Sequence, residues 1–272
     1  MEKMKAKKSL GQNFLEEDIF VERIVEVSGV GPADTVLEIG PGMGALTFPL
    51  LEKVKKVVAI EADERFIELL GQKNITNLSL YQGNILDIGI ERILETEVDK
   101  EEEYHVIANI PYYITAPIVR LLLSLSHQPK QIILMVQDEV AERLCAKPGG
   151  LSLLGIMAQY YAKTEKLFFV PKEAFSPVPK VDSAIIRLAP FKAFDKDGDR
   201  RLFRVVKVGF QAKRKTLVNN LKGAFGLTRE DVEDLLAERG LSLDIRAQAL
   251  CLDDWEWLAA QISVLEKKKE SE

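Results

Sequence analysis

The chain has 272 residues, of which 47% are hydrophobic and 29% charged, and its net charge is −5. Those values fit a globular protein with room for one large domain and one small one, and they exclude a disordered chain. A disulfide-stapled fold is excluded by two distant cysteines, Cys145 and Cys251, a His-rich metal site by two histidines, and a spanning helix by the lack of an apolar run near the ~20 residues it needs. No metal, no membrane and a reducing cytoplasm are the expectations.

The first fifteen residues carry a net charge of +3 and residues 196–222 a net charge of +7, so the remainder is strongly acidic. Local patches, not the sum, decide attraction to phosphates. Two solvated basic faces are an equally simple reading.

Residues 16–29 predict an amphipathic helix ending at Gly29. Strands are expected at Thr35–Ile39, Lys56–Ile60, Leu78–Tyr81, His105–Ala108, Gln131–Val136, Lys166–Val170 and Ser183–Leu188. Helices are expected between them, at Gly42–Leu51, Asp63–Gly71, near Ile90–Glu95, and at Thr115–Ser126, Asp138–Cys145 and Leu151–Ala162. This alternation implies an α/β fold with a doubly wound, mostly parallel seven-stranded sheet. The connection rich in proline (Pro171, Pro177, Pro179) suits a reversal of direction before the last strand. Residues 1–190 are read as this domain with a basic arm, 191–198 as a linker, 199–266 as a small C-terminal α-helical domain and 267–272 as a disordered tail.

At the end of the first strand stands Glu38-Ile39-Gly40-Pro41-Gly42-Met43-Gly44. Gly40 and Gly42 let the backbone turn tightly against a ligand, and the next helix offers free N–H groups. The spacing also fits a dinucleotide fingerprint. Glu61 closes the second strand, 19 residues after Gly42, where an acid can accept bonds from ribose hydroxyls of either cofactor.

Asn109-Ile110-Pro111-Tyr112, at the end of the fourth strand, separates the two. An exocyclic adenine amine is a poor nucleophile because its lone pair is delocalised. The Asn109 oxygen and the carbonyl of Ile110 or Pro111 can accept both its N–H groups and turn the lone pair toward a methyl donor, by positioning and electrostatics. Tyr112 can stack on the base, which must leave its helix to arrive there. Further along, the stiff loop Ala174–Ser183 can present Phe175 to the other face of the base, or bury it in the core. Lys213, Arg214 and Lys215 are placed on a helix and suit phosphate contact.

The stretches GQNFL, EIGPG, NIPYYI, AFSPVPKVDSAIIRL and FQAKRKTL stand in the same order as in the KsgA family of small-subunit ribosomal RNA adenine N6,N6-dimethyltransferases, which the chain resembles from about Lys8 to about Leu258. The resemblance implies a Rossmann-like methyltransferase domain and S-adenosylmethionine as methyl donor. It implies that Asn13, Leu15, Gly40, Glu61, Asn84 and Asn109 hold the donor. It places catalysis on Asn109, Pro111 and Tyr112, with Phe175 as second stacking residue. The partner it implies is small-subunit ribosomal RNA or a precursor of the small subunit, carrying two adjacent target adenines in a hairpin near the RNA's 3′ end, and a monomer is expected. Asn84 stands where the family usually has Asp, and Gln248 where it usually has Glu. The rivals are a resistance-type dimethyltransferase of large-subunit RNA, a non-catalytic assembly factor on the same fold, and a nicotinamide-dependent oxidoreductase.

Overall fold

The computed structural model describes residues 6, 7, 10–195 and 198–270. Lys8 and Ser9 of the basic arm, Lys196 and Asp197 of the expected linker, and Ser271 and Glu272 of the expected tail lie outside the described residues, as do residues 1–5. The chain forms two compact units. The first runs to Glu142 and resumes over Ala162–Ala193; the second combines Arg143–Tyr161 with the chain from Phe194 onward.

The first unit is built on a seven-stranded sheet. In chain order its elements are β1 (Phe14–Leu15), α1 (Asp18–Ser28), β2 (Thr35–Ile39), α2 (Thr47–Leu51), β3 (Lys56–Glu61), α3 (Glu64–Gly71), β4 (Leu78–Gln82), α4 (Ile90–Glu97), β5 (Tyr104–Asn109), α5 (Thr115–Leu123), β6 (Gln131–Gln137) and α6 (Asp138–Leu144), the last of which crosses into the second unit. After α7 (Leu153–Tyr161) come β7 (Ala162–Val170), β8 (Phe175–Ser176) and β9 (Ser183–Pro190). The sheet order is β4-β3-β2-β5-β6-β9-β7. All its strands run parallel except β9, which is antiparallel to both neighbours. The expected doubly wound sheet is thus the observed one, and the proline-rich connection makes the reversal.

The central strands read as unbroken apolar runs because both faces are covered: Val36, Val57, Val58, Val106, Ile107 and Leu134 are all buried. From β2 the chain adds strands first on one side and then, from β5, on the other. The carboxyl ends of β2 and β5 therefore form the switch point at which open α/β sheets bind ligands.

Several local expectations are corrected. The helix expected from Gly42 begins only at Thr47, because Gly40, Gly42 and Gly44 take φ of 71°, 54° and 91°, outside the range of a right-handed helix. β7 starts at Ala162 rather than Lys166, since pairing with β9 extends it, with an irregularity between Lys166 and Phe168. The two-residue pairing of β1 with β8 was too short to leave a periodic signal.

The second unit contains α7, α8 (Arg200–Gly209), α9 (Leu217–Leu221), α10 (Arg229–Glu238) and α11 (Leu252–Glu270) around fully buried Trp255. A cut near residue 190 therefore misses Arg143–Tyr161. That segment joins this unit because the hydroxyls of Tyr160 and Tyr161 donate to buried Asp199 at 2.6 and 2.8 Å and their rings pack on Phe203. The expected tail is helical through Glu270: cationic Lys267, Lys268 and Lys269 suit a helix C-terminus, and Lys269 donates to Gly226 O and Asp231.

Candidate active site

A cavity of about 210 Å³ opens at the switch point and reaches the ends of β2, β3 and β5. Gly40 donates its N–H to Ile60 O at 2.9 Å, and a Cβ there would lie 3.8 Å from Asn109 O, which places the glycine turn directly beside the β5 end.

Two buried carboxylates face this space. Glu61 ends β3 and accepts the N–H groups of Gly42 (3.0 Å) and Asp63 (2.8 Å). Burial raises its pKa, and those bonds oppose the rise. Glu38, in β2, is 2% exposed, and its Oε2 has no hydrogen-bond partner among the described residues. Burial pushes its carboxyl up to about 8.

The arm before α1 closes the cavity on one side. Phe14 packs edge-on to Phe66 and lies in contact range of Gly42, and Asn13 donates to Gly11 O at 3.2 Å. The arm is held by Asp63, which is 1% exposed and accepts from Lys7 Nζ at 2.9 Å and Gln12 Nε2 at 3.0 Å. The Arg65 guanidinium beside Asp63, together with Lys7 and Gln12, holds its carboxyl far below the usual range. Asn84 lines the cavity beyond β4. Its Oδ1 accepts Leu86 N–H at 3.1 Å and its Nδ2 donates to Asp87 at 2.7 Å.

At the other end, β5 delivers Asn109, and Pro111 leads into a single 3-10 turn, Tyr112–Ile114. Pro111 O already accepts Ile114 N–H at 3.3 Å, which leaves the Ile110 carbonyl the better second acceptor. The Tyr112 hydroxyl shares a 2.6 Å hydrogen bond with Ser183, and burial raises its pKa.

The family described as ribosomal RNA adenine dimethylase matches residues 3–255. The chain belongs to this family. Named relatives include the "Ribosomal RNA small subunit methyltransferase A" of Levilactobacillus brevis, 41% identical over 91% of this chain and 86% of that one, and of Caldanaerobacter subterraneus, 38% identical over 97% and 100%. Among solved structures, a dimethyladenosine transferase from Plasmodium falciparum superposes with a TM-score of 0.75 at 26% identity, covering 92% of this chain and 97% of that one. The 23S rRNA methyltransferase ErmE gives 0.71 at 26%, covering 92% and 99%.

In this dimethylase the cavity gathers Asn13, Leu15, Gly40, Gly42, Glu61, Asn84, Asn109, Pro111 and Tyr112, all singled out from the sequence. Phe175 is set apart. It pairs with Leu15, is 3% exposed, packs in the core cluster and does not line the cavity. Of the two rings expected to clamp a base, only Tyr112 faces the space.

Lys213, Arg214 and Lys215 are exposed, but on a turn between α8 and α9 rather than on a helix. The buried Asn220 amide fixes that turn by donating to Gly209 O at 2.6 Å and Ala212 O at 3.2 Å. Sequence reasoning passed over Asp63, Gln12, Tyr113 and Ser183. Asp63 alone carried a signal, an acid at the helix N-cap position. Tyr113 lines the cavity although 62% of it is exposed.

Proposed function

We propose that this protein transfers methyl groups from S-adenosylmethionine to the N6 amines of two adjacent adenines in a hairpin near the 3′ end of small-subunit ribosomal RNA, two groups to each. It acts as a monomer in the cytoplasm, on the RNA or a precursor of the subunit. The observation that carries the reading is Asn109–Tyr112 at the carboxyl end of β5, in one cavity with the glycine turn and Glu61. The curated relatives' names favour the small subunit over the large-subunit substrate in the name of ErmE.

The residues present fit the donor. Gly40 and Gly42 give backbone room for a close approach, and Glu61 offers a carboxylate to ribose hydroxyls. Asn13, Leu15 and Asn84, which also line the cavity, would hold the rest of the donor, Asn84 through its side-chain amide. Glu38, a buried acid in the cavity lining, would add negative charge close to a cationic ligand once ionised. When bound, the donor supplies an electrophilic methyl group on a sulfonium. Asn109 and the Ile110 carbonyl accept the two N–H groups of the target amine and aim its lone pair. Pro111 fixes the backbone at that point, and Tyr112 stacks on the ring. Phe175, paired with Leu15 and buried in the core, is not part of this clamp. Lys213, Arg214 and Lys215 contact phosphates.

Radiolabelled donor offered in parallel to small subunits lacking these methyl groups, deproteinised large-subunit RNA and DNA tests this. Label recovered as dimethyladenosine from small subunits is expected. Label in large-subunit RNA instead establishes the resistance-type activity. Binding of small subunits without label establishes a non-catalytic assembly factor.

A further inference from the structure

Ser183 is the first residue of β9, fully buried, and paired with Gln137 of β6 on one side and Val170 of β7 on the other. It is therefore fixed inside the sheet. The residue before it is fixed as well: Asp182 accepts Lys172 N–H on its side chain and Asp138 N–H on its carbonyl, both at 3.0 Å. Tyr112 lies 71 residues earlier on the turn after β5, and β6 separates β5 from β9 in the sheet. The 2.6 Å bond between the two hydroxyls thus spans the end of a strand. At its other end Tyr112 is held through its carbonyl, which accepts Thr115 Oγ1 at 3.1 Å.

A ring pinned at backbone and hydroxyl has lost its freedom to tilt. Stacking itself uses only the ring face, so the buried partner for the hydroxyl sets orientation rather than affinity. A phenol is already protonated at neutral pH, and burial raises the pKa of this one further, so its hydroxyl is no base for the reaction. We infer that Ser183 is a positioning residue, which sets the plane of the Tyr112 ring and so the aim of the adenine amine between Asn109 and the donor. This rests on the proposed function. It also gives a purpose to the end of the Pro177–Ser183 stretch that donor binding and RNA contact leave unused.

The test measures single-turnover methyl transfer and donor affinity for the wild type, Ser183→Ala, Tyr112→Phe and the double variant. Tyr112→Phe keeps the ring and loses only the hydroxyl. Each single variant is expected to lower kcat about tenfold, the scale of a small misplacement, with donor Kd unchanged. The double variant is expected to be no slower than the slower single, because both remove the same bond. A merely structural Ser183 would instead weaken donor binding and multiply its loss with that of Tyr112→Phe, and that result overturns the inference. So does wild-type kcat in either single variant. Should Ser183→Ala fail to fold, Tyr112→Phe decides alone. An absence of label from the wild type overturns the functional reading and the inference with it. Label from the wild type with multiplying losses overturns the inference only.

Discussion

The two ends of the cavity are built from opposite materials. At the end proposed for the donor stand carboxyl groups taken out of water: Glu38 with an oxygen that has no partner among the described residues, Glu61 held by two backbone N–H groups and, just behind, Asp63 tied to the arm. At the end proposed for the target amine, from Asn109 to Ile114, there is no carboxylate, only an amide, backbone carbonyls and two tyrosines. A cationic donor repays buried negative charge, which is otherwise costly. At the other end the acceptors are neutral and fixed in place, so what they contribute is the aim of the amine's lone pair.

The largest effect should come from the amine end. Asn109→Ala is expected to lower single-turnover methyl transfer by about a hundred- to a thousandfold, the scale of losing one aimed polar group, with RNA binding retained. Filter binding and rapid-quench labelling measure the two separately. Loss of RNA binding in step with the rate would remove the assigned role, and a matching loss of donor affinity would move Asn109 to the donor end.

The donor end should declare itself through pH. In the unfolded chain the Glu38 carboxyl ionises near 4.5, in the folded protein at about 8. Between those values the native state holds the extra proton. The contribution is full below about 4.5 and is lost as pH rises toward 8, at about 1.4 kcal/mol per pH unit. Urea unfolding of the ligand-free protein at about pH 6 and about pH 8 should therefore show a steeper decline for the wild type than for Glu38→Gln. Equal declines would mean that Glu38 is ionised in the fold. The same proton predicts that a cationic donor binds more tightly as pH rises to about 8.

These contrasts also explain what could be read from the chain alone. Gly40, Gly42, Glu61 and Asn109–Tyr112 sit at strand ends, where an apolar run stops and a turn residue begins, so a local pattern marks both the element and the candidate site. The arm's hold on Asp63, the Tyr112–Ser183 bond and the β1–β8 pairing join residues 51 to 162 positions apart, and no local pattern carries them. Phe175 shows the consequence. Its loop reads as a display, but pairing with Leu15 turns the ring into the core. Arg143–Tyr161 was misassigned for a similar reason, since its partner Asp199 lies about forty residues on. The sequence around the basic triplet has a helical pattern, and nothing local announces that the Asn220 amide holds a turn after α8.

Outside the cavity, that basic turn offers a smaller and cleaner contrast. Replacing Lys213, Arg214 and Lys215 together by Ala should weaken RNA binding and make the log–log salt slope shallower by about 2, since each lost phosphate contact on single-stranded RNA removes about 0.7. Methyl transfer at saturating RNA should be unchanged. An unaltered slope would place the phosphate contacts elsewhere.

The smallest effect is expected where a gain looks easiest. Asn84 stands at a position the family usually fills with Asp, so Asn84→Asp promises a charged acceptor for the donor's adenine amine. The local bonds oppose it. The Asn84 amide donates to Asp87 at 2.7 Å while its oxygen takes Leu86 N–H. An aspartate would set two carboxylates at that distance, and like charges so placed raise the pKa of one of them. Both positions are exposed, so water screens the penalty and the gain alike. Donor Kd for Asn84→Asp should stay within about threefold of the wild type, the range of exposed charge pairs. Adding Asp87→Asn returns an amide donor opposite the new carboxylate, and the double variant should bind the donor more tightly than Asn84→Asp alone. Isothermal titration of the three proteins decides the matter. A single Asn84→Asp variant that binds tenfold more tightly would show that this side chain leaves Asp87 when the donor arrives, and that the loop after β4 belongs to the charged end of the cavity.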